Sequence, residues 1–135
     1  MTIHEQIETF LGSEIFAVVG ASSQRHKYGN KVFRCYLQNG RRAIPVNPTE
    51  KEIEGEIVIS SVADLPKEVQ SISLITPPPI TEKIVQQAAA AGIRNIWMQP
   101  GAESPAAIEF CHQQGLNLIA DGSCLLVVLG YSEGH

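Results

Sequence analysis

The sequence predicts an α/β domain in which an open parallel sheet is covered on both faces by helices. Three observations carry this. Short β-type runs alternate with helical runs along the chain; the first β-type run, Ile15-Phe16-Ala17-Val18-Val19, is apolar on both of its faces; and three helical stretches end in glycine, at Gly40, Gly92 and Gly115, just ahead of a strand. A run buried on both sides belongs inside a parallel sheet, and strand–helix repeats joined by short loops give right-handed crossovers. The 135 residues, 44% hydrophobic and 18% charged, suit a single domain over 1–135 with one core.

The elements follow in order. An amphipathic segment, His4 to Leu11, precedes the first strand, which stops at Gly20. A helix runs from about Tyr28 to Asn39, with Val32/Tyr36 and Phe33/Leu37 stacked four residues apart and Lys31, Arg34 and Gln38 directed outward. The second strand, Arg42 to Val46, is closed by Asn47-Pro48; a short third strand lies at Glu56 to Ile59, and a turn of helix surrounds Ser61 to Leu65. Ser71 to Ile75 is the fourth strand. Pro77, Pro78 and Pro79 end it and stand in the first turn of a helix, where a missing N–H is harmless, and that helix continues through Ile84, Val85 and Ala88. After the fifth strand, Asn95 to Met98, Ser104-Pro105 supplies an N-cap and an N1 proline for the last helix, and Asn117 to Ala120 is the sixth strand. The arrangement is Rossmann-like, with strand order 3-2-1-4-5-6. Its switch point falls between the first and fourth strands, and open sheets of this kind bind ligands in the crevice outside the strand ends there. The loops at Gly20 and Thr76 therefore flank the expected site.

Composition narrows the ligand. No stretch reaches the length of a spanning helix and the N-terminus is acidic and polar, so the expectation is a soluble, cytoplasmic protein without membrane contact. Cys35, Cys111 and Cys124 are an odd number without close spacing, which indicates neither a disulfide framework nor a metal site. The net charge of −4 is uneven: from Ile15 to Thr49 there are Arg25, Lys27, Lys31, Arg34, Arg41 and Arg42 and no acid, leaving −10 elsewhere. Such a split suits a local anion, although basic side chains on a helix surface that simply face water explain it equally well. Overall acidity argues against a nucleic-acid binder, which neutralises many phosphates along an extended surface. A small polyphosphate fits better.

The first loop, Gly20-Ala21-Ser22-Ser23-Gln24-Arg25-His26-Lys27-Tyr28-Gly29-Asn30, has the small residues that let a ligand approach backbone and the hydroxyls that hydrogen-bond it. It precedes a helix whose N–H groups suit a phosphate, with Arg25 and Lys27 to supply charge. The competing reading is an ordinary strand-to-helix turn. The dinucleotide fingerprint G-x-G-x-x-G is absent, and Asn47 ends the second strand where an acid holds the ribose of NAD. That leaves room for a phosphorylated ribose. Lys51 can meet its phosphate, although Glu50, Glu52 and Glu54 around it also describe a solvated charged loop.

Taken together, Val19-Gly20-Ala21-Ser22, Lys27-x-Gly29, Val32, Tyr36-Leu37, Gly40, Ile44-Pro45-Val46-Asn47-Pro48, Glu52-Ile53-x-Gly55 and Trp97-Met98-Gln99-x-Gly101 resemble the stand-alone CoA-binding domain proteins. These are similar to the N-terminal domain of the succinyl-CoA synthetase alpha subunit. The resemblance implies a coenzyme A site built from several loops: Gly20, Ala21, Ser22 and Ser23 at the pyrophosphate, and Asn47, Pro48 and Lys51 near the adenosine 3′-phosphate. Ile75-Thr76-Pro77-Pro78-Pro79 would pack on adenine, while Gln99-Pro100-Gly101 and Ser123-Cys124 lie toward the pantetheine. The chain departs from the family in carrying Ile75-Thr76 where stand-alone members often have Phe-Arg, and Asp121-Gly122-Ser123-Cys124 where an Asp-Arg-Cys run is usual.

No catalytic set is legible. Cys111 and His112 are neighbours on a helix and diverge, Cys111 toward the core and His112 toward water, and Cys35 sits among apolar helix residues. Cys124, in the last loop, is the exception: a mixed disulfide with the CoA thiol competes there with a buried structural role. In the synthetase the phosphohistidine belongs to a second domain, so the resemblance implies non-catalytic binding of CoA or acyl-CoA by a carrier, sensor or partner-presenting module. Two alternatives stand beside it: an NAD(P)-binding sensor or oxidoreductase, and a regulatory or scaffold subunit with a vestigial crevice. The apolar tail Leu125 to Leu129 is a packed segment or a contact with a second copy or another protein.

Overall fold

A computed structural model describes residues 1–133. Helix α1 (Ile3–Leu11) is opened by a capping box, in which Thr2 and Glu5 each satisfy the other's backbone N–H. Then come β1 (Ile15–Val19), α2 (Tyr28–Gln38), β2 (Arg42–Val46), the short β3 (Glu52–Ile53) and β4 (Glu56–Ile57), a 3₁₀ turn at Val62–Asp64, and β5 (Ser71–Leu74). The chain continues with α3 (Pro78–Ala90), β6 (Asn95–Met98), α4 (Pro105–Gln113), β7 (Asn117–Ile119) and a wide turn at Leu126–Gly130. Pro77 caps α3 and two prolines fill its first turn, while Ser104 Oγ accepts from the Ala107 N–H at the start of α4.

The main sheet has five strands in the order β2-β1-β5-β6-β7, all parallel. The Rossmann-like class holds, and the detail that differs is the expected third strand. Glu56–Ile57 pairs instead with Glu52–Ile53 as an antiparallel hairpin, turned by Glu54 (φ 51°) and Gly55 (φ 81°). Two consecutive positive φ values are what a tight two-residue hairpin turn requires. The chain then reaches the sheet edge at one residue, Ile59, which forms an isolated parallel bridge with Val46. The bridge engages only the carboxyl end of β2, where the Asn47 N–H donates to the Ile59 carbonyl and the Ile59 N–H to the Pro45 carbonyl.

Alternate strand residues feed two cores. Ala17, Val19, Ile72, Leu74, Ile96 and Met98 face α3 and α4, whereas Phe16, Val18, Trp97 and Ile119 face α1 and α2. The second core is aromatic: Phe16 stacks on Tyr36 at 4.9 Å between ring centroids, and Phe10 meets the Trp97 ring edge-on at 5.2 Å. Arg34, expected to face water, is instead 5% exposed. It donates to Asn30 Oδ1 and to the Arg25 carbonyl, and its guanidinium lies over the Tyr131 ring. The segment after β7 crosses this face of α2 and covers it, which helical periodicity alone does not reveal. Among the described residues no helix is long and apolar enough to cross a membrane.

Candidate functional site

The carboxyl ends of β1 and β5 come together at one contact. Gly20 takes φ +95°, donates its N–H to the Val46 carbonyl, and lies so close to β5 that a Cβ there would be 2.1 Å from the Ile75 carbonyl oxygen. Gly29, at the start of α2, presses on Gly20 in the same way, with 2.0 Å between an added Cβ and the Gly20 carbonyl oxygen. These two glycines let three backbones converge, and beside them opens a crevice of about 670 Å³. That volume lies within the range of small-molecule sites. Gly20, Ala21, Ser22, Lys27, Tyr28, Gly29 and Asn47 line it as the sequence suggests, joined by Gln24, Thr49, Glu50 and Ile75.

Asn47 shapes this rim. Its Oδ1 accepts from the Thr49 N–H, the Thr49 hydroxyl and the Glu50 N–H, while its Nδ2 donates to the Ala21 carbonyl at 2.9 Å. An asparagine at the end of a strand closes such a turn through its side chain. The turn delivers Glu50 into the crevice, where Oε2 accepts the Ser23 N–H at 3.0 Å. Ser22 Oγ accepts the Gln24 N–H.

Not every expected residue lines this crevice: Ser23 is exposed and lies outside the lining, reaching it only through its N–H on Glu50. Arg25 pairs in fork fashion with Glu54, at 3.2 and 3.1 Å. Burial opposes ionisation of Glu54, but hydrogen bonds from Asn30 and Arg25 outweigh it and hold the carboxyl below its usual range. Pro48 and Lys51 are exposed and lie outside the lining, and the backbone carbonyl of Lys51 is engaged by the Val58 N–H. Arg42 starts β2 and so stands at the opposite end of the sheet, as does Arg41, which donates to the Leu11 carbonyl. Of the six cations in the acid-free stretch, Lys27 alone lines the crevice.

Ile75 also borders a second hollow of about 230 Å³, lined by Thr76, Pro77, Pro100, Gly101 and Ala102. Pro78 is exposed in the first turn of α3 and lines neither hollow. The Thr76 hydroxyl is turned inward to Thr81. Gln99 is fully buried, with Oε1 accepting from the Tyr28 hydroxyl at 3.1 Å and from the Leu125 N–H at 3.0 Å. Tyr28 thus connects the crevice to the last loop, and its hydroxyl lies 2.7 Å from Cys124 Sγ. Burial, reinforced by the Cys124 thiol, pushes the Tyr28 phenol well above its usual range. It is a hydrogen-bonding group at neutral pH, not a base. Burial likewise raises the Cys35 and Cys111 thiols to about 11.

The residues that sequence reasoning missed are Gln24, Thr49 and Glu50. Asn47-Pro48-Thr49-Glu50 carries a signal for two of them, because an asparagine before proline favours an Asx turn, which here fixes the Thr49 and Glu50 backbone beside the strand end.

Comparisons with known proteins agree with this fold. A hypothetical protein of Pyrococcus horikoshii superposes with a TM-score of 0.86 at 28% identity, covering 94% of this chain and 89% of that one. A conserved hypothetical protein of Pyrococcus furiosus gives 0.82 at 37% identity, covering 85% and 98%. Among curated proteins, the alpha subunit of ADP-forming acetate–CoA ligase II of P. furiosus is 23% identical over 124 residues, which is 84% of this chain and 27% of that subunit. The chain spans about a quarter or less of the length of the curated relatives it matches. The model of the CoA binding domain family matches residues 14–130, and the chain belongs to that family.

Proposed function

We propose that this chain binds coenzyme A, free or acylated, in the crevice beside Gly20 and makes or breaks no bond in it. The observation that carries this reading is the junction of the β1 and β5 loops, where two glycines bring backbone to the edge of a cavity of about 670 Å³. The phosphates lie along Gly20 to Ser23 with Lys27 as their cation. The remainder of the cofactor runs past Ile75 toward Thr76, Pro77, Pro100 and Gly101, and its thiol end approaches Tyr28, Gln99 and Cys124. Contacts from Arg25, Pro48, Lys51 and Pro78 belong to the proposal only if those side chains rearrange, since none lines the crevice. The lining offers one acid, one cation and one protonated phenol. Acid–base catalysis pairs a base with a nucleophile within hydrogen-bond reach; among the described residues the Glu50 carboxylate is instead engaged by the Ser23 N–H and Asn47, and the Tyr28 hydroxyl by Gln99 and Cys124.

A relative that is the alpha subunit of an acetate–CoA ligase supports a role beside a protein partner, with this chain presenting the cofactor. Thermal denaturation with CoA, acetyl-CoA, dephospho-CoA, NAD and NADP at matched concentrations tests the ligand, because a compound that binds only the native state raises the midpoint. CoA is expected to give the largest shift, dephospho-CoA a smaller one and NAD the smallest. No shift with CoA overturns the reading, and a larger shift with NAD or NADP replaces it by the nicotinamide one.

A further inference from the structure

The small-residue loop already carries an anion. Ser23 presents its N–H to Glu50 Oε2 at 3.0 Å, Asn47 Nδ2 approaches the same oxygen at 3.4 Å, and Glu50 is one of the two charged side chains that line the crevice, the other being Lys27. The Glu50 backbone is fixed independently, by its N–H on Asn47 Oδ1 at 3.0 Å. The carboxylate can therefore rotate off Ser23 while the turn that holds it stays in place. Resting on the coenzyme A reading, we propose that Glu50 is an internal competitor for the first loop: it occupies the Ser23 amide in the free protein and is displaced by the ligand's phosphates.

Two physical consequences follow. A phosphate arriving at Ser23 gains a charge-assisted hydrogen bond only after the carboxylate has lost an equivalent one, so the loop contributes less net affinity than its geometry promises. Until it moves, the carboxylate also repels the incoming anion, and in a half-buried crevice water screens that repulsion incompletely. Glu50 thus sets a threshold: only a ligand whose bonds to the loop and to Lys27 outweigh both the lost carboxylate contact and this repulsion displaces it.

The test is calorimetric titration of CoA and of inorganic pyrophosphate into wild type, Glu50→Gln and Glu68→Gln, with the Ser23 amide resonance followed by NMR. Glu50→Gln keeps the shape and an acceptor for Ser23 but removes the charge. Glu68→Gln removes the same charge from an exposed position outside the crevice. Glu50→Gln is expected to bind CoA about fivefold more tightly and Glu68→Gln within about twofold of wild type, with the Ser23 resonance moving on binding. Equal or weaker binding by Glu50→Gln, in a protein whose wild type binds CoA, overturns the competitor role and leaves the coenzyme A reading standing. An equal gain in Glu68→Gln also overturns it, because overall charge is then the cause. If CoA binds neither protein while pyrophosphate binds Glu50→Gln more tightly at Ser23, the cofactor reading fails and the role of Glu50 survives. If CoA binds without moving Ser23 the competitor role falls alone, and if neither compound binds wild type or Glu50→Gln both fall.

Discussion

At Gly20 and Gly29 one added methyl group would run into main chain, 2.1 Å from the Ile75 carbonyl oxygen and 2.0 Å from the Gly20 carbonyl oxygen, whereas at Gly101, in the lining of the second hollow, it would meet nothing within 4 Å. The rims of the two hollows that meet at Ile75 are built differently. On the first, the ends of β1 and β5 and the start of α2 touch through backbone, and Asn47 and Glu50 hydrogen-bond across to it. On the second, Pro77 and Pro100 are exposed and the loop after β6 is held by its own short-range bonds, such as the Gly101 N–H on the Glu103 carboxylate. A ligand meets one surface whose shape is fixed by the fold itself and another whose shape can yield.

The largest expected effect tests the fixed rim. Gly29→Ala places a Cβ against backbone that has no flexible end to move aside, and Gly20→Ala adds a left-handed φ to the same crowding. Each is expected to lower unfolding free energy by about 3 kcal/mol or more, with Gly20→Ala the worse of the two. Urea denaturation measures this. A loss under about 1 kcal/mol at Gly29 would mean that α2 slides away from β1 cheaply, and the contrast between the rims would disappear.

The contrast also explains what the sequence discloses. The strands and helices were legible because local chemistry dictates their pattern: Ile15 to Val19 reads as two-sided because both cores use it, and the proline run reads as a helix start because the first turn does not need the missing N–H groups. The position of the crevice was legible for a topological reason, since the strand order alone puts Gly20 beside Ile75. The charge inside the site was not. Arg25 is neutralised by Glu54, a residue reached only through the Glu54-Gly55 hairpin, and Arg34 is covered by the segment carrying Tyr131. Both partners lie far along the chain, and local pattern carries no information about them. Glu50 is the reverse case: it looks like one acid in a solvated run, and only the Asx turn at Asn47 turns it inward.

A smaller effect is expected on the yielding rim. Gly101 has φ +98° and open space around it, so Gly101→Ala brings backbone strain without a clash. The cost is about 1–2 kcal/mol, the penalty of a left-handed conformation for a residue with a Cβ. Setting this variant beside Gly29→Ala in the same denaturation series separates strain from crowding. If Gly101→Ala is the more damaging of the two, the second rim is the rigid one and the assignment of roles reverses.

The smallest effect concerns the brace behind the first rim, where Asn30 and Arg25 hold the Glu54 carboxylate at 3.1 and 3.1 Å. The Glu54 carboxyl is held below its ordinary value of 4.5 in the folded protein. Folding therefore favours its ionised form, and the stabilisation is complete above pH 4.5 and fades as pH falls through the lower folded value. Glu54→Gln lacks this contribution at every pH. Wild type is accordingly expected to be the more stable protein at neutral pH, with the gap narrowing below pH 4.5, as read from urea midpoints across an acid titration. Because Arg25 is more than half exposed, salt screens its share of the bond, and repeating the series at high ionic strength should shrink the neutral-pH gap while leaving the Asn30 contribution. A gap that is constant with pH would mean that the brace works through the shape of the side chain and not its charge, and that the first rim owes its rigidity to the glycine contacts alone.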